Sequence, residues 1–97
     1  MATQIISGTA PDVTSETLKY NSSESTFAFY GDFGGGTLTV EASFDSGVTF
    51  ITLKKSSGDI LEIAENEIHT IALGRCLIRY TITGATSAPT VNVTIKD

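Results

Sequence analysis

The chain has 97 residues and a formal net charge of −5, which suits one domain with a single hydrophobic core. Its six Lys and Arg residues are too few for a nucleic-acid surface, and the negative balance disfavours binding to an anionic membrane. Cys76 is the only cysteine, which excludes a disulfide within the chain and favours assembly in a reducing cytoplasm. The N-terminus lacks the basic and apolar regions of a signal peptide, so none is predicted.

The composition favours β-structure before any pattern is considered. The chain contains 15 Thr and 10 Ser, and Ile, Val and Thr together make 30 residues. β-Branched side chains suit a pleated surface and lose rotamer freedom in a helix.

Residues 1–25 are predicted as a loose N-terminal arm with short strands at 3–7 and 17–20. Most of the segment is polar, and its large apolar anchors after residue 7 are Val13, Leu18 and Tyr20. Two interpretations stay open: the arm orders against a neighbouring protein, or it is a surface loop. Under the first, deletion of residues 2–20 is expected to leave the remaining domain folded and to abolish binding.

Residues 26–97 are predicted as the β-sandwich domain, because apolar and polar side chains alternate there. Phe27 and Phe29 share a face, a glycine-rich break follows at 31–36, and residues 37–53 form a hairpin around an Asp-Ser-Gly turn. Two further alternating strands are predicted at 76–83 and 90–96. Cys76 is expected to face the core from the first of them.

Residues 60–73 fit two patterns. In the first pattern, Leu61, Ala64 and Ile68 have the spacing of the apolar face of a helix. A pair of short strands at 60–64 and 67–73, around a turn at Glu65-Asn66, is favoured because β-branched residues are frequent and both neighbours are strands.

The predicted fold is therefore all-β, a single antiparallel β-sandwich of about seven or eight strands, either jelly-roll or immunoglobulin-like. The side chains expected to face inward share the alternating positions of these strands; they are Phe27, Phe29, Leu38, Val40, Phe50, Ile78, Tyr80, Ile82, Val91, Val93 and Ile95.

No motif indicates catalysis, a metal or a cofactor, and the chain is predicted not to be an enzyme. The Asp-Phe-Gly triplet within residues 31–36 lacks every other kinase element, and neither Lys nor a helix follows those glycines to form a phosphate site. His69 has no partner at a metal-ligand spacing and is expected to face solvent. Glu62, Glu65 and Glu67, beside Asp59, are interpreted as a solvated sheet edge.

Two stretches resemble small virion proteins of tailed bacteriophages. The first, GGGTLTVEASFDSGVTF at 34–50, has a glycine-rich break, an alternating strand, an Asp-containing turn and a Thr-aromatic pair. The second is IALGRCLIRY at 71–80, followed by TGAT at 83–86. The resemblance covers roughly residues 27–97. It implies a β-sandwich made in many copies in the host bacterial cytoplasm and placed on the capsid, neck or tail.

The resemblance leads to the expectation of a head decoration or cement protein that binds the major capsid protein or another virion protein. A homo-oligomer is expected, with a trimer favoured. The alternative is a receptor- or carbohydrate-binding module of the neck, tail or fibre, which needs exposed aromatic side chains such as Phe33, Phe44 or Tyr20. The predicted protein-contact residues lie in the arm and in two loops; they are Ile5, Ile6, Val13, Leu18, Tyr20, Phe33 and Phe44.

Overall fold

The computed structural model describes residues 2–55 and 57–96, and this part of the chain contains ten β-strands and no helix. It therefore holds no helix long and apolar enough to cross a membrane. In chain order the strands are β1 (Ala2–Ser7), β2 (Val13–Thr14), β3 (Leu18–Tyr20), β4 (Glu24–Asp32), β5 (Thr37–Ser43), β6 (Ile51–Thr52), β7 (Glu62–Ile63), β8 (Glu67–Ala72), β9 (Cys76–Thr83) and β10 (Thr90–Lys96).

The strands form two antiparallel sheets that pack face to face, which confirms the predicted β-sandwich. One sheet has four strands in the order β1-β10-β4-β8, and the other has six. In the six-stranded sheet β2 and β3 pair with successive stretches of one edge of β9, and β6 and β7 pair with successive stretches of β5. Each sheet is consequently four rows wide.

The connectivity selects the jelly-roll from the two predicted alternatives. The first strand pairs with the last, β2 and β3 pair with β9, β4 pairs with β8, and β5 pairs with β6 and β7. A long hairpin folded over in this way places successive strand pairs in alternate sheets. When β2 with β3, and β6 with β7, are each counted as one row, the two sheets together have eight rows. Eight rows joined in this order form the two Greek keys of a jelly-roll.

The core lies between the two sheets and is formed by the alternating positions that the sequence predicts. Ten of the eleven side chains expected to face inward are buried, with Phe27, Leu38 and Tyr80 fully enclosed. Phe29 stacks on Phe27 and meets the Tyr80 ring edge-on. Phe50 is the exception, because its ring lies under the guanidinium of an outward-facing arginine.

The prediction of a loose N-terminal arm is wrong for the described residues. Residues 2–7 pair with residues 90–95 of β10, and Ile6, Val13 and Tyr20 are buried in the core. The Tyr20 hydroxyl donates a hydrogen bond of 2.8 Å to Ser25 Oγ. Because residues 2–20 supply the edge of both sheets, their deletion is expected to unfold the domain.

Residues 60–73 contain two strands, β7 and β8, as the favoured interpretation predicts. Ile63 and Ile71 point into the core from β7 and β8, on opposite sheets. The intervening turn at 64–66 is exposed. The helical stripe fails because a helix cannot pair with β4 and β5, the two strands that these residues complete.

Candidate functional site: two exposed surfaces

The structure separates the seven predicted contact residues into buried and exposed groups. Ile6, Val13, Tyr20 and Phe33 lie in the hydrophobic core, and Leu18 is half-buried against it. These side chains stabilise the domain and are not available to a partner. Ile5 and Phe44 are exposed, and each belongs to a different surface.

The first surface, which we call the apolar tip, consists of Phe44, Val48 and Ile51. They are 72%, 83% and 68% exposed, and they lie in or next to the loop between β5 and β6. Phe44 and Ile51 line a shallow groove whose walls include Leu53 and Leu73. Large apolar side chains grouped in this way are typical of a site that contacts another molecule.

Hydrogen bonds within the chain hold the loop of the apolar tip in place. Asp45 Oδ1 accepts hydrogen bonds of 2.8 Å from Ser43 Oγ and from the Thr49 amide. The Gly47 amide donates to Ser43 Oγ at 2.9 Å. The Thr49 amide and the Ser43 hydroxyl hold the pKa of the Asp45 carboxyl below its usual range. Phe44 is therefore presented by an ordered turn.

The second surface, which we call the Thr-rich face, is the outward side of the four-stranded sheet. Its uncharged side chains alternate with the core positions of β1, β10, β4 and β8; they are Thr3, Ile5, Ser7, Thr90, Asn92, Thr94, Thr26, Ala28, Tyr30, Ile68, Thr70 and Ala72. Among the described residues of this face, the charged ones are Asp32 at one end and Lys96 and Glu24 at the other.

The outward side of the six-stranded sheet differs because charged side chains occupy its centre. The Arg79 Nε donates to Glu41 Oε1 at 2.8 Å, and the same oxygen accepts a 3.0 Å hydrogen bond from Thr81 Oγ1. The Arg79 guanidinium lies 3.8 Å from the centroid of the Phe50 ring. These contacts hold Phe50, the last residue of the β5–β6 loop, against the sheet.

The end of the sandwich opposite the apolar tip is formed by four loops joined by hydrogen bonds. The Ala85 amide donates to Pro11 O at 2.9 Å, and the Thr86 amide donates to Gly34 O at 2.7 Å. The Gly31 amide donates to Asn66 Oδ1 at 3.0 Å. The predicted glycine-rich break is thus a tight connection with φ values of 64° at Gly34 and 81° at Gly35.

The side chains with catalytic potential are dispersed. His69 Nε2 lies 2.7 Å from Glu67 Oε1, and the His69 ring meets Phe29 edge-on. His69 therefore packs at the sandwich edge, where the sequence predicts a solvent-facing side chain. Burial raises the pKa of the Cys76 thiol, which packs against the core as predicted. Within residues 2–55 and 57–96, no three His, Cys, Asp or Glu side chains form a group able to hold a metal ion.

The comparisons with known proteins add no family to this description. No protein-family model, curated protein or solved structure matches the chain.

The exposure of Phe44 is predictable from the sequence, whereas most of the Thr-rich face is not. Phe44 follows an alternating strand directly before an Asp-Ser-Gly turn, which is a local signal for exposure. The Thr-rich face has a weaker signal, because its four strands are distant in sequence. Their outward positions carry few charges, but their common surface emerges only once the strand order is known.

Proposed function

We propose that the chain is a non-enzymatic structural protein of a tailed-phage virion and, specifically, a head decoration protein that binds and stabilises the shell. It is made in the host bacterial cytoplasm and placed on the capsid surface, and its partner is the major capsid protein or another virion protein. The resemblance across residues 27–97 supports the virion assignment. The jelly-roll supports it further, since viral capsid proteins use this architecture, although a fold alone does not determine function.

The observation that carries the binding role is the exposed Phe44 on a turn held by Asp45. A large aromatic side chain supplies much of the contact area of an interface and has few rotatable bonds to immobilise. The hydrogen bonds from Ser43 and Thr49 order the turn before binding. The loss of loop entropy on docking is correspondingly small.

The abundance of the protein in virions tests the assignment to a virion. Virions purified from the source lysate are analysed by quantitative mass spectrometry against the major shell protein. A copy ratio near one, or a simple fraction of it, is expected for a decoration protein that covers the head. Absence from the particles contradicts a virion role, and a trace amount contradicts decoration in favour of the neck, tail or fibre.

Substitution at the apolar tip tests the contact itself. Phe44→Ser is expected to lower the affinity for shells that lack the protein by at least about tenfold, because truncating a central aromatic costs more than about 1.4 kcal/mol. Ile60→Ser is the control, since Ile60 is exposed but lies outside the tip. Equal binding of both variants and the parent protein places the contact elsewhere.

A carbohydrate- or receptor-binding module is the second candidate, and Phe44 is also the observation that favours it. Exposed aromatic rings stack on sugars, and lectins also use the jelly-roll. Against this candidate, Tyr20 and Phe33 are buried, and the sequence contains no Trp. Binding to a glycan array that is lost in Phe44→Ser, together with absence from virions, favours the module over the decoration protein.

A further inference from the structure

The centre of the Thr-rich face is a continuous uncharged surface. The strand registers align Thr3, Thr94, Ala28 and Ile68 in one row across all four strands. The charged residues of the described part of this face lie at its two ends, beyond the central rows. A second protein surface that covers these rows therefore meets no isolated charge that would lose its water.

The polar groups at the centre of the face already have partners within it. Thr94 Oγ1 lies 3.0 Å from Thr3 Oγ1 and 3.1 Å from the Tyr30 hydroxyl. Hydroxyl groups that are hydrogen-bonded to one another cost little free energy when they are removed from water. The face therefore combines exposed polar residues with a low cost of burial.

Large apolar side chains flank this polar centre. Ile5 on β1 and Ile68 on β8 are 62% and 72% exposed, and Tyr30 lies between their strands. A shallow groove beside Tyr30 and Ile68 is lined mainly by apolar atoms. Covering these side chains would remove apolar surface from water at both edges of the sheet.

We propose that the Thr-rich face binds the same face of a second copy of this chain, which makes the protein a two-fold symmetric dimer. Each copy has a net charge of −5, so two copies repel one another wherever acidic surfaces meet. The uncharged face avoids that repulsion, and an identical face is complementary to it in polarity. A two-fold contact uses the same patch on both subunits.

The size of the face is sufficient for a specific dimer. Four strands spaced about 4.8 Å apart, with a rise of about 3.3 Å per residue, give a surface of roughly 400 Å² in projection. The accessible area buried by two such faces is then on the order of 1,000 Å², at the lower limit for a specific interface. A dimer formed through this face does not depend on shell binding, and it differs from the trimer expected from the resemblance.

Sedimentation of the full chain over a range of concentrations tests the proposal. The parent protein is expected to reach twice the 10.2 kDa mass of one chain. Paired Ile5→Glu and Ile68→Glu substitutions are expected to raise the dimer dissociation constant by at least about tenfold, because they place charges in the buried face. Ile60→Glu, at a residue 45% exposed and outside both surfaces, is the control and is expected to leave the constant unchanged.

Three results would overturn the proposal: a monomer at millimolar concentration, a trimer, or a dimer that the paired substitutions do not weaken. Thr70→Lys on the same face provides a second probe if the paired variant does not fold, as judged by circular dichroism.

Added salt provides an independent readout. Screening of the net charge is expected to strengthen the dimer, whereas weakening by salt would indicate charge-driven association and contradict the proposal.

Discussion

The two ends of the sandwich achieve order in opposite ways. At one end, four loops bond to one another, and Gly34 O accepts hydrogen bonds from the Thr86 and Ser87 amides. At the other end, the loop of the apolar tip is held by its own Asp45 and by Arg79, whose guanidinium lies over the Phe50 ring. The first end therefore depends on close backbone packing, and the second depends on side chains that leave the tip exposed.

This difference indicates where a binding role can be accommodated. The end with four joined loops uses its polar backbone groups internally and has few large apolar side chains to offer. The apolar tip keeps Phe44 and Val48 in water while its turn stays ordered. Contact with a partner therefore requires no rearrangement at the tip.

Gly34→Ala should produce the largest change, and it tests whether close packing holds the loop-bonded end. A Cβ at Gly34 would lie 2.3 Å from Ser87 O, and the backbone there has a φ of 64°. We expect a loss of at least about 3 kcal/mol in the free energy of unfolding, from strain and broken loop hydrogen bonds. Urea denaturation measures this loss.

Gly58→Ala is the matched control for this substitution. Gly58 also has a positive φ, of 97°, but no atom beyond its chain neighbours lies within 4 Å of the position that a Cβ would take. Only the strain of the backbone conformation should remain, which costs about 1 kcal/mol. Equal losses in the two variants would show that backbone conformation, and not packing between loops, determines the stability of that end.

Arg79→Gln should produce an intermediate change at the opposite end. It removes the contact with Phe50 and the ion pair with Glu41, and both side chains of that pair are partly exposed to screening solvent. We expect a loss of about 1 kcal/mol in the free energy of unfolding. Arg75→Gln removes the same charge from an exposed turn and should have no measurable effect. Equal losses in both variants would show that the contacts of Arg79 with Phe50 and Glu41 do not stabilise this end.

The sequence predicts the central strands of the fold because they are long enough to show a period of two. β4, β5, β9 and β10 each have seven to nine residues, and all ten of the correctly predicted core side chains lie on them. β2 has two residues and β3 has three, so these strands are too short to show a detectable alternation. Val13 and Tyr20 therefore resemble isolated anchors of a loose arm in the sequence, although they fill the core.

The exposure of a candidate contact residue can likewise be predicted only where neighbouring residues in the sequence determine it. Phe44 is predictable because the turn that exposes it is encoded by adjacent residues. Phe33 also directly precedes a predicted loop, the glycines at 34–36, and is predicted as a contact residue. It is nevertheless buried. Its burial depends on the packing of distant loops, including the bond from Thr86 to Gly34. Contacts between loops so far apart in the chain leave no signal within a short window of sequence.

The smallest expected effect concerns the charge that orders the apolar tip. The folded-state pKa of Asp45 is lowered from its ordinary value of 3.8 by the Thr49 amide and the Ser43 hydroxyl. Ionised Asp45 therefore stabilises the folded state above pH 3.8, and this contribution is lost as the pH falls through the lower folded-state value. The protonated carboxyl is a weaker acceptor for both hydrogen bonds.

Asp45→Asn should accordingly lower the thermal unfolding midpoint slightly at neutral pH, and the difference from the parent protein should disappear in strong acid. Asp59→Asn makes the same change of net charge on another exposed turn and so separates a local effect from an effect of total charge. A difference that persists unchanged in acid would contradict an ordering role for the carboxylate charge. In that case the turn would be held by its backbone conformation, and the tip would be organised in the same way as the opposite end.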